Sequence, residues 1–184
     1  MVLERVIKGK PGAFFIDGPS GTGKTYLYRA ILAAVRLKGF IAHATATSGL
    51  VASFLPSGRI AHSRFKIPVK KEESMTCAIS KQSGTARFLR EANIIISDEA
   101  LMSKRQLMEA FQEMLQDIIN NGSQFGGKVI VFGGDFRQVL PVVPKGTRQE
   151  TVNTSLVKSD LWPSLENLKL TKNVRAKFDQ SFCD

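Results

Sequence analysis

The chain has 184 residues, and this length predicts one well-buried domain, because a domain usually holds roughly 100–200 residues. Its longest apolar runs fall far short of the roughly 20 residues of a membrane-spanning helix, and the N-terminus lacks a secretory signal, so we expect an intracellular protein with no membrane contact. A formal net charge of +10 favours a polyanionic partner such as nucleic acid, although a solvated basic face would give the same excess.

The strongest motif follows a predicted strand at Ala13–Ile16 and matches the nucleotide-binding pattern G-x-x-x-x-G-K-[ST] at every position. It reads Gly18-Pro19-Ser20-Gly21-Thr22-Gly23-Lys24-Thr25. Lys24 is expected to reach the β- and γ-phosphates of ATP, and the Thr25 hydroxyl is expected to bind Mg²⁺. A helix predicted from Tyr26 to Lys38 would place its positive N-terminal end behind the phosphates. We favour this site over the alternative, an accidental glycine-rich turn.

A second strand is predicted at Phe40–Ala44, and it leads into a hydroxyl-rich stretch that includes Thr47 and Ser48. Small hydroxyl residues at the end of a parallel strand are well placed to meet a ligand. Alternatively, one of these two residues caps the helix predicted from Leu50 to Leu55. These residues alone leave both interpretations open.

From Pro56 to Ser83 the periodicity fails, and the composition predicts an irregular, basic surface stretch. Phe65 lies among the basic residues and offers a possible stacking platform for a base. We favour contact with nucleic acid over a solvated loop, in which Glu72 and Glu73 would offset part of the charge. The basic residues are Arg59, His62, Arg64, Lys66, Lys70 and Lys71.

A third apolar strand, predicted at Ala92–Ser97, delivers two carboxylates at its C-terminal end. Asp98 can hold Mg²⁺ while Glu99 polarises the attacking water, which are the two acidic roles that phosphoryl transfer needs. The alternative is an acidic cap for the helix predicted from Ser103 to Ile119. The glycine-rich loop upstream favours catalysis.

Two later strands also end in polar residues. The strand predicted at Lys128–Phe132 leads to Gln138, which could sense the γ-phosphate or could be part of a solvated turn. After a short helical segment near residues 155–161, the strand predicted at Leu168–Leu170 leads to Arg175. Arg175 could act as an arginine finger or could be a tail residue in solvent. Five strands alternating with helices predict a three-layer α/β domain, with a parallel sheet covered by helices on both faces.

In this order, the motifs resemble those of the PIF-type DNA helicases, 5′-to-3′ enzymes of helicase superfamily 1 related to RecD, and above all their plant forms, which are akin to rolling-circle transposon helicases. The resemblance runs from Phe14 to Ala176. The matching stretches are Phe15-Ile16-Asp17-Gly18-Pro19-Ser20-Gly21-Thr22-Gly23-Lys24-Thr25, Thr45-Ala46-Thr47-Ser48-Gly49, Ala61-His62-Ser63-Arg64-Phe65-Lys66-Ile67-Pro68, Asp98-Glu99-Ala100, Gly133-Gly134-Asp135-Phe136-Arg137-Gln138-Val139-Leu140-Pro141 and Asn173-Val174-Arg175.

The resemblance implies a RecA-like P-loop NTPase fold with ATP, Mg²⁺ and single-stranded DNA as ligands. It implies ATP hydrolysis coupled to 5′-to-3′ DNA unwinding in repair, recombination or telomere maintenance, and a nuclear location. Residues 1–184 would then form a single ATPase lobe, and unwinding would need a second RecA-like lobe. A non-catalytic nucleotide- or DNA-binding remnant is the alternative, and a small-molecule kinase is a third candidate.

The family's functional positions transfer to matching residues of this chain. The implied catalytic positions are Lys24, Asp98, Glu99, Gln138 and Arg175, and Thr25 would hold Mg²⁺ together with Asp98. Gln138 resembles the family's γ-phosphate sensor, and Arg175 resembles its arginine finger. The resemblance and the basic stretch together assign five positions to single-stranded DNA: Thr47, His62, Ser63, Arg64 and Lys66.

Overall fold

The computed structural model describes residues 1–66, 79–137 and 141–175. Within these ranges, six parallel strands form one sheet in the order β3-β2-β4-β5-β1-β6. The strands are β1 Gly12–Asp17, β2 Ala42–Ala46, β3 Arg59–Ile60, β4 Ile94–Asp98, β5 Val129–Gly134 and β6 Glu166–Lys169. The predicted α/β class is confirmed, with one strand more than expected, because β3 lies inside the stretch predicted to be irregular.

The described ranges also contain seven α-helices and four short 3₁₀ segments. The α-helices are α1 Val2–Ile7, α2 Lys24–Leu37, α3 Gly49–Ser53, α4 Ala61–Arg64, α5 Gly84–Glu91, α6 Arg105–Ile119 and α7 Arg148–Asn153. The 3₁₀ segments are Ala100–Met102, Gln124–Gly127, Leu156–Lys158 and Trp162–Ser164. None of these helices is both long and apolar enough for a bilayer crossing.

The short helical segment predicted near residues 155–161 is present as the 3₁₀ turn Leu156–Lys158, while α7, which precedes it, was not predicted. The apolar periodicity gave no sign of α7, since none of its residues is buried. Its start is instead stabilised locally, by a capping box between Thr147 and Glu150. Helix α5 was also missed, because it buries only Ala86 and Leu89 and is too short for a clear apolar period.

Helices cover both faces of the sheet, because neighbouring residues of each central strand point to opposite sides. In β1, Phe14 packs with α1 and α2 on one face, whereas Phe15 packs with α5 and α6 on the other. Both phenylalanines are fully buried. Each face of the sheet thus has its own apolar core. The loops gather at the carboxyl ends of the strands, which is where a parallel sheet binds ligands.

The order of the strands determines which loops meet at that edge. Strand β5 lies between β1 and β4, so the glycine-rich loop after β1 and the carboxylate at the end of β4 are two strands apart. The register aligns Ile16 with Gly133 and Ser97 with Phe132. Asp98 and Gly133 therefore lie at the same level of the sheet, next to the start of the loop.

His43 on β2 is a buried histidine whose surroundings disfavour its charged form. Its ring stacks on Phe88 with the centroids 3.4 Å apart, and its Nε2 lies 3.1 Å from the Phe88 carbonyl oxygen. Burial lowers the pKa of His43 from 6.5 to about 4, and the positive charges of Arg64 and Arg36 act in the same direction. The folded protein thus favours neutral His43 at pH values where the unfolded chain carries a proton there.

We expect stability to fall as the pH is lowered from 6.5 towards 4, because in that window the unfolded state binds a proton at His43 that the folded state excludes. The loss should be on the order of 2 kcal/mol. Urea unfolding at pH 7 and pH 4.5 would measure it against His43→Gln, which should lose this component. His62→Gln removes the other histidine, which is exposed, and should behave like the wild type. An equal pH dependence in His43→Gln and the wild type would contradict the assignment.

Candidate active site

The glycine-rich loop, residues 18–25, connects β1 to α2 and is held by contacts within itself and to the chain after β6. Gly21 has a φ of 88°, in the left-handed region, and a Cβ at this position would lie 2.6 Å from the Asn173 side-chain oxygen. The Thr22 hydroxyl donates to the Pro19 carbonyl oxygen over 2.8 Å. Helix α2 begins at Lys24, so the N–H groups of its first turn face the loop.

A cavity of about 380 Å³ opens beside this loop at the carboxyl ends of the strands. Its volume is typical of a small-molecule site, roughly 300–1,000 Å³. The lining residues are Pro19, Ser20, Gly21, Gly23, Lys24, Thr25, Val51, Phe54, Asp98, Glu99, Gly134, Asp135 and Arg175. Four of the five predicted catalytic positions thus meet in one cavity, while Gln138 lies outside the described residues. Gly18 and Thr22 are buried parts of the loop itself.

Lys24 lies at the base of the cavity with its ammonium group turned onto the loop. Its Nζ donates to the Gly18 carbonyl oxygen and lies 3.5 Å from the Pro19 carbonyl oxygen. A phosphate would be a stronger acceptor than these neutral carbonyls, because hydrogen bonds between two charged groups are shorter and stronger. The side chain is thus positioned to exchange loop carbonyls for an anion in the cavity.

Asp98 is a buried carboxylate at the end of β4, with only 4% of its surface exposed. Its Oδ1 accepts a hydrogen bond from the Glu99 backbone N–H over 2.9 Å. Burial raises the pKa of Asp98, while this hydrogen bond and the charge of Lys24 oppose the rise. Beside it, burial and then the Asp98 charge raise the pKa of Tyr28 well above its usual range. The Tyr28 hydroxyl is therefore a potential donor next to the carboxylate.

The donor set of the cavity fits Mg²⁺. Asp98 contributes a carboxylate and Thr25 a hydroxyl, and Mg²⁺ prefers such oxygen ligands. In the described part of the chain, no group of three or more His, Cys, Asp or Glu residues could form a metal cage. Mg²⁺ usually binds through one or two carboxylates together with substrate phosphates, so one buried aspartate next to a phosphate loop is sufficient.

Glu99 is held in a strained backbone conformation by the stretch after β2. Its φ of 58° and ψ of 30° place a glutamate in the left-handed region, which few residues other than glycine adopt. Its Oε2 accepts from the Ser48 backbone N–H over 3.2 Å, and its carbonyl oxygen accepts from the Thr47 hydroxyl over 2.9 Å. Ser48 also caps α3, because its Oγ accepts from the Val51 N–H. The capping interpretation is thus confirmed for Ser48, while Thr47 contacts Glu99 directly.

The segment after β6 packs onto the glycine-rich loop and brings Arg175 to the cavity. The backbone N–H groups of Val174 and Arg175 donate to the Gly21 carbonyl oxygen over 2.9 and 3.2 Å. The Arg175 guanidinium donates to the Ser20 hydroxyl over 3.4 Å. The arginine is otherwise exposed, so its guanidinium can reorient towards a phosphate in the same cavity.

The residues assigned to DNA differ in how accessible they are. His62, Ser63 and Lys66 are exposed on α4 or just after it. Arg64 is half-buried, with its Cζ 5.0 Å from the centroid of the Phe88 ring and its guanidinium donating to the Ser57 carbonyl oxygen. Burial and the nearby Arg59 and Arg36 lower the pKa of Arg64. Lys70 and Lys71 lie outside the described residues.

The interpretation of Phe65 as a stacking platform is wrong. Its side chain is 2% exposed, and its ring lies 4.5 Å from the Phe111 ring in the core between the sheet and α6. The apolar contacts that bury it come from distant parts of the chain, so the local basic composition gave no sign of them. Tyr28 was not among the predicted site residues, whereas the structure buries its side chain fully.

Comparisons with known proteins identify relatives of this chain and of its fold. The PIF1-like helicase family model matches residues 1–182. The ATP-dependent DNA helicase PIF1 of Candida albicans is 31% identical over 193 residues, which cover 98% of this chain and 21% of the relative. The protein of the same name from Emericella nidulans is 33% identical, and the match covers 100% of this chain and 25% of that relative. The chain therefore spans about a quarter or less of these relatives.

Solved structures give the same result. The crystal structure of the Pif1 helicase from Candida albicans has a TM-score of 0.81 and 30% identity, and the match covers 100% of this chain and 41% of that chain. A Pif1 helicase from Bacteroides, solved in complex with ADP-AlF3 and ssDNA, has a TM-score of 0.79 at 20% identity, which supports the fold alone. The predicted RecA-like P-loop fold is thereby confirmed, and the chain belongs to the PIF1-like helicase family.

Proposed function

We propose that this chain is the ATPase lobe of an ATP-dependent DNA helicase that couples ATP hydrolysis to 5′-to-3′ unwinding. The observation that carries the proposal is the convergence of Lys24, Asp98, Glu99 and Arg175 on one cavity beside the glycine-rich loop. The matched relatives carry the name ATP-dependent DNA helicase, and this chain spans 21% and 25% of two of them. The family context suggests repair, recombination or telomere maintenance in the nucleus.

The proposed reaction converts ATP and water to ADP and phosphate. Lys24 releases the loop carbonyls and binds the β- and γ-phosphates. Glu99, once its carboxylate leaves the Ser48 N–H, accepts the proton of the attacking water. Arg175 offsets negative charge in the transition state, and Asp98 and Thr25 would hold Mg²⁺. When bound, Mg²⁺ supplies positive charge to the phosphate oxygens. A γ-phosphate sensor role for Gln138 remains a prediction.

Single-stranded DNA is the proposed second ligand. The exposure of His62, Ser63 and Lys66 leaves these side chains available to a phosphate backbone, and the formal charge of +10 favours such a partner. Arg64 can add charge beside them. Thr47 already donates to the Glu99 carbonyl oxygen, so this assigned DNA contact lies one hydrogen bond from the proposed catalytic base.

Phosphate release by purified residues 1–184, with and without single-stranded DNA, tests the proposed function. We expect slow, Mg²⁺-dependent hydrolysis that DNA stimulates. Glu99→Gln is the matched control, because the amide keeps the size of the side chain but cannot accept the proton, so it should retain ATP binding and lose turnover. Binding without turnover in the wild type would favour the non-catalytic alternative. Equal hydrolysis by wild type and Glu99→Gln would overturn the assignment of the base.

A further inference from the structure

Tyr28 has an unusual position behind the proposed magnesium site. It lies on α2, its side chain is completely buried, and its hydroxyl fits against β5 at Gly133. A Cβ on Gly133 would overlap this hydroxyl and would lie 2.8 Å from Asp98 Oδ1. The hydroxyl therefore occupies space that only glycine leaves open, and it approaches Asp98 from the side of α2.

No hydrogen bond of full geometry joins the Tyr28 hydroxyl to another described residue, and the carboxylate beside it is that of Asp98. A buried donor without an acceptor costs about 1–3 kcal/mol, which a hydrogen bond to a neighbouring acceptor would recover. Asp98 is the adjacent acceptor, and of its two oxygens Oδ1 already accepts the Glu99 N–H. A carboxylate offers about four lone-pair sites, so it can accept from Tyr28 as well and still face the cavity.

Helix geometry links Tyr28 to the phosphate-binding residues. Positions three and four residues apart lie on the same side of an α-helix, and Tyr28 follows Thr25 by three residues and Lys24 by four. The first turns of α2 thus present the proposed phosphate ligand, the proposed metal ligand and the phenol towards the end of β4. One rigid element can then fix all three relative to Asp98.

We propose that Tyr28 is a positioning residue for the magnesium site, whose hydroxyl donates to the Asp98 carboxylate and fixes the orientation in which that carboxylate binds the metal. The inference rests on the proposed ATPase function and on the role of Asp98 within it. A hydrogen bond to a metal ligand limits the conformations of that ligand, and loss of such a partner typically weakens metal binding by about 10- to 100-fold.

Tyr28→Phe tests the proposal, because it keeps the ring that packs in the core and removes only the hydroxyl. Tyr26→Phe is the matched control: it lies on the same helix, is 80% exposed and involves the chain's other tyrosine. The measurement is the affinity of a fluorescent ATP analogue over a range of Mg²⁺ concentrations and in EDTA. We expect Tyr28→Phe to raise the Mg²⁺ concentration for half-maximal effect about tenfold, with little change in EDTA. Tyr26→Phe should match the wild type.

A double-mutant cycle with Asp98→Asn separates positioning from general packing. If Tyr28 acts through the carboxylate, Tyr28→Phe should produce no further shift in the Asp98→Asn background. Urea unfolding and far-UV circular dichroism of each variant establish that the comparison is between folded proteins. Unchanged Mg²⁺ dependence in folded Tyr28→Phe, or an equal shift in both backgrounds, would overturn the proposal. Nucleotide binding that ignores Mg²⁺ in the wild type itself would instead overturn the proposed function and, with it, this inference.

Discussion

Lys24→Ala is expected to reduce ATP turnover by about 10²–10³-fold, the typical loss when one group that stabilises transition-state charge is removed. Among the described residues, the Lys24 ammonium group hydrogen-bonds to loop carbonyls at Gly18 and Pro19, and Lys24 belongs to neither apolar core. The substitution therefore removes charge from the phosphates without removing packing. Phosphate release and the affinity of a fluorescent ATP analogue would measure the loss.

Lys38→Ala provides the control for Lys24→Ala, because Lys38 is exposed at the other end of α2. Both variants change the net charge equally, so a difference between them reports the position of the lysine. The urea midpoint of Lys24→Ala should stay close to that of the wild type. A decrease in the free energy of unfolding as large as that of a core truncation, about 2–5 kcal/mol, would mean that Lys24 stabilises the loop structure and would contradict the catalytic assignment.

Purified residues 1–184 are expected to show no unwinding of a 5′-tailed duplex. The described residues form one sheet with one core on each face, hence a single body. Stepping along a strand requires two bodies whose contacts with DNA change as ATP is bound and released. Hydrolysis should also be slow if a second lobe normally supplies an arginine, since one such residue is worth roughly 10³–10⁵ in kcat.

A strand-displacement assay at increasing protein concentration, with ATP or with no nucleotide, measures this directly. Addition of a separately expressed second lobe should restore unwinding together with faster phosphate release. Lys24→Ala in the same mixture should stay inactive, which shows that the restored activity uses this ATP site. ATP-dependent displacement by residues 1–184 alone would contradict the need for a second lobe.

The central sheet and the nucleotide loop could be predicted because their signals are local. Strands β1, β4 and β5 are buried on both faces, which gives short continuous apolar runs in the sequence. The glycine-rich loop depends on residue types at fixed spacing within eight positions. Strand β3 has only two residues and exists through its pairing with β2, so no local pattern could indicate it.

The contacts that complete the site come from distant segments and were beyond prediction. The sequence pattern placed Asp98 and Glu99 at a strand end, but it gave no sign of the left-handed backbone of Glu99 or of its bonds to the stretch after β2. Nothing local indicated that the Tyr28 hydroxyl and the Asp98 carboxylate both lie against Gly133. Such contacts depend on how α2, α3 and β5 pack together, which the apolar periodicity of each segment does not specify.

The hydrogen bond between Thr47 and the Glu99 carbonyl has a thermodynamic consequence. A hydroxyl has one proton to donate, so Thr47 cannot give it both to Glu99 and to a DNA phosphate. A DNA strand that accepts this hydrogen bond removes one restraint on the Glu99 backbone. The free energy of the left-handed conformation of Glu99, relative to its alternatives, then changes. If Thr47 contacts DNA as proposed, linkage makes the effect reciprocal: a nucleotide that draws Glu99 into another conformation frees Thr47 and alters the affinity for DNA by the same factor.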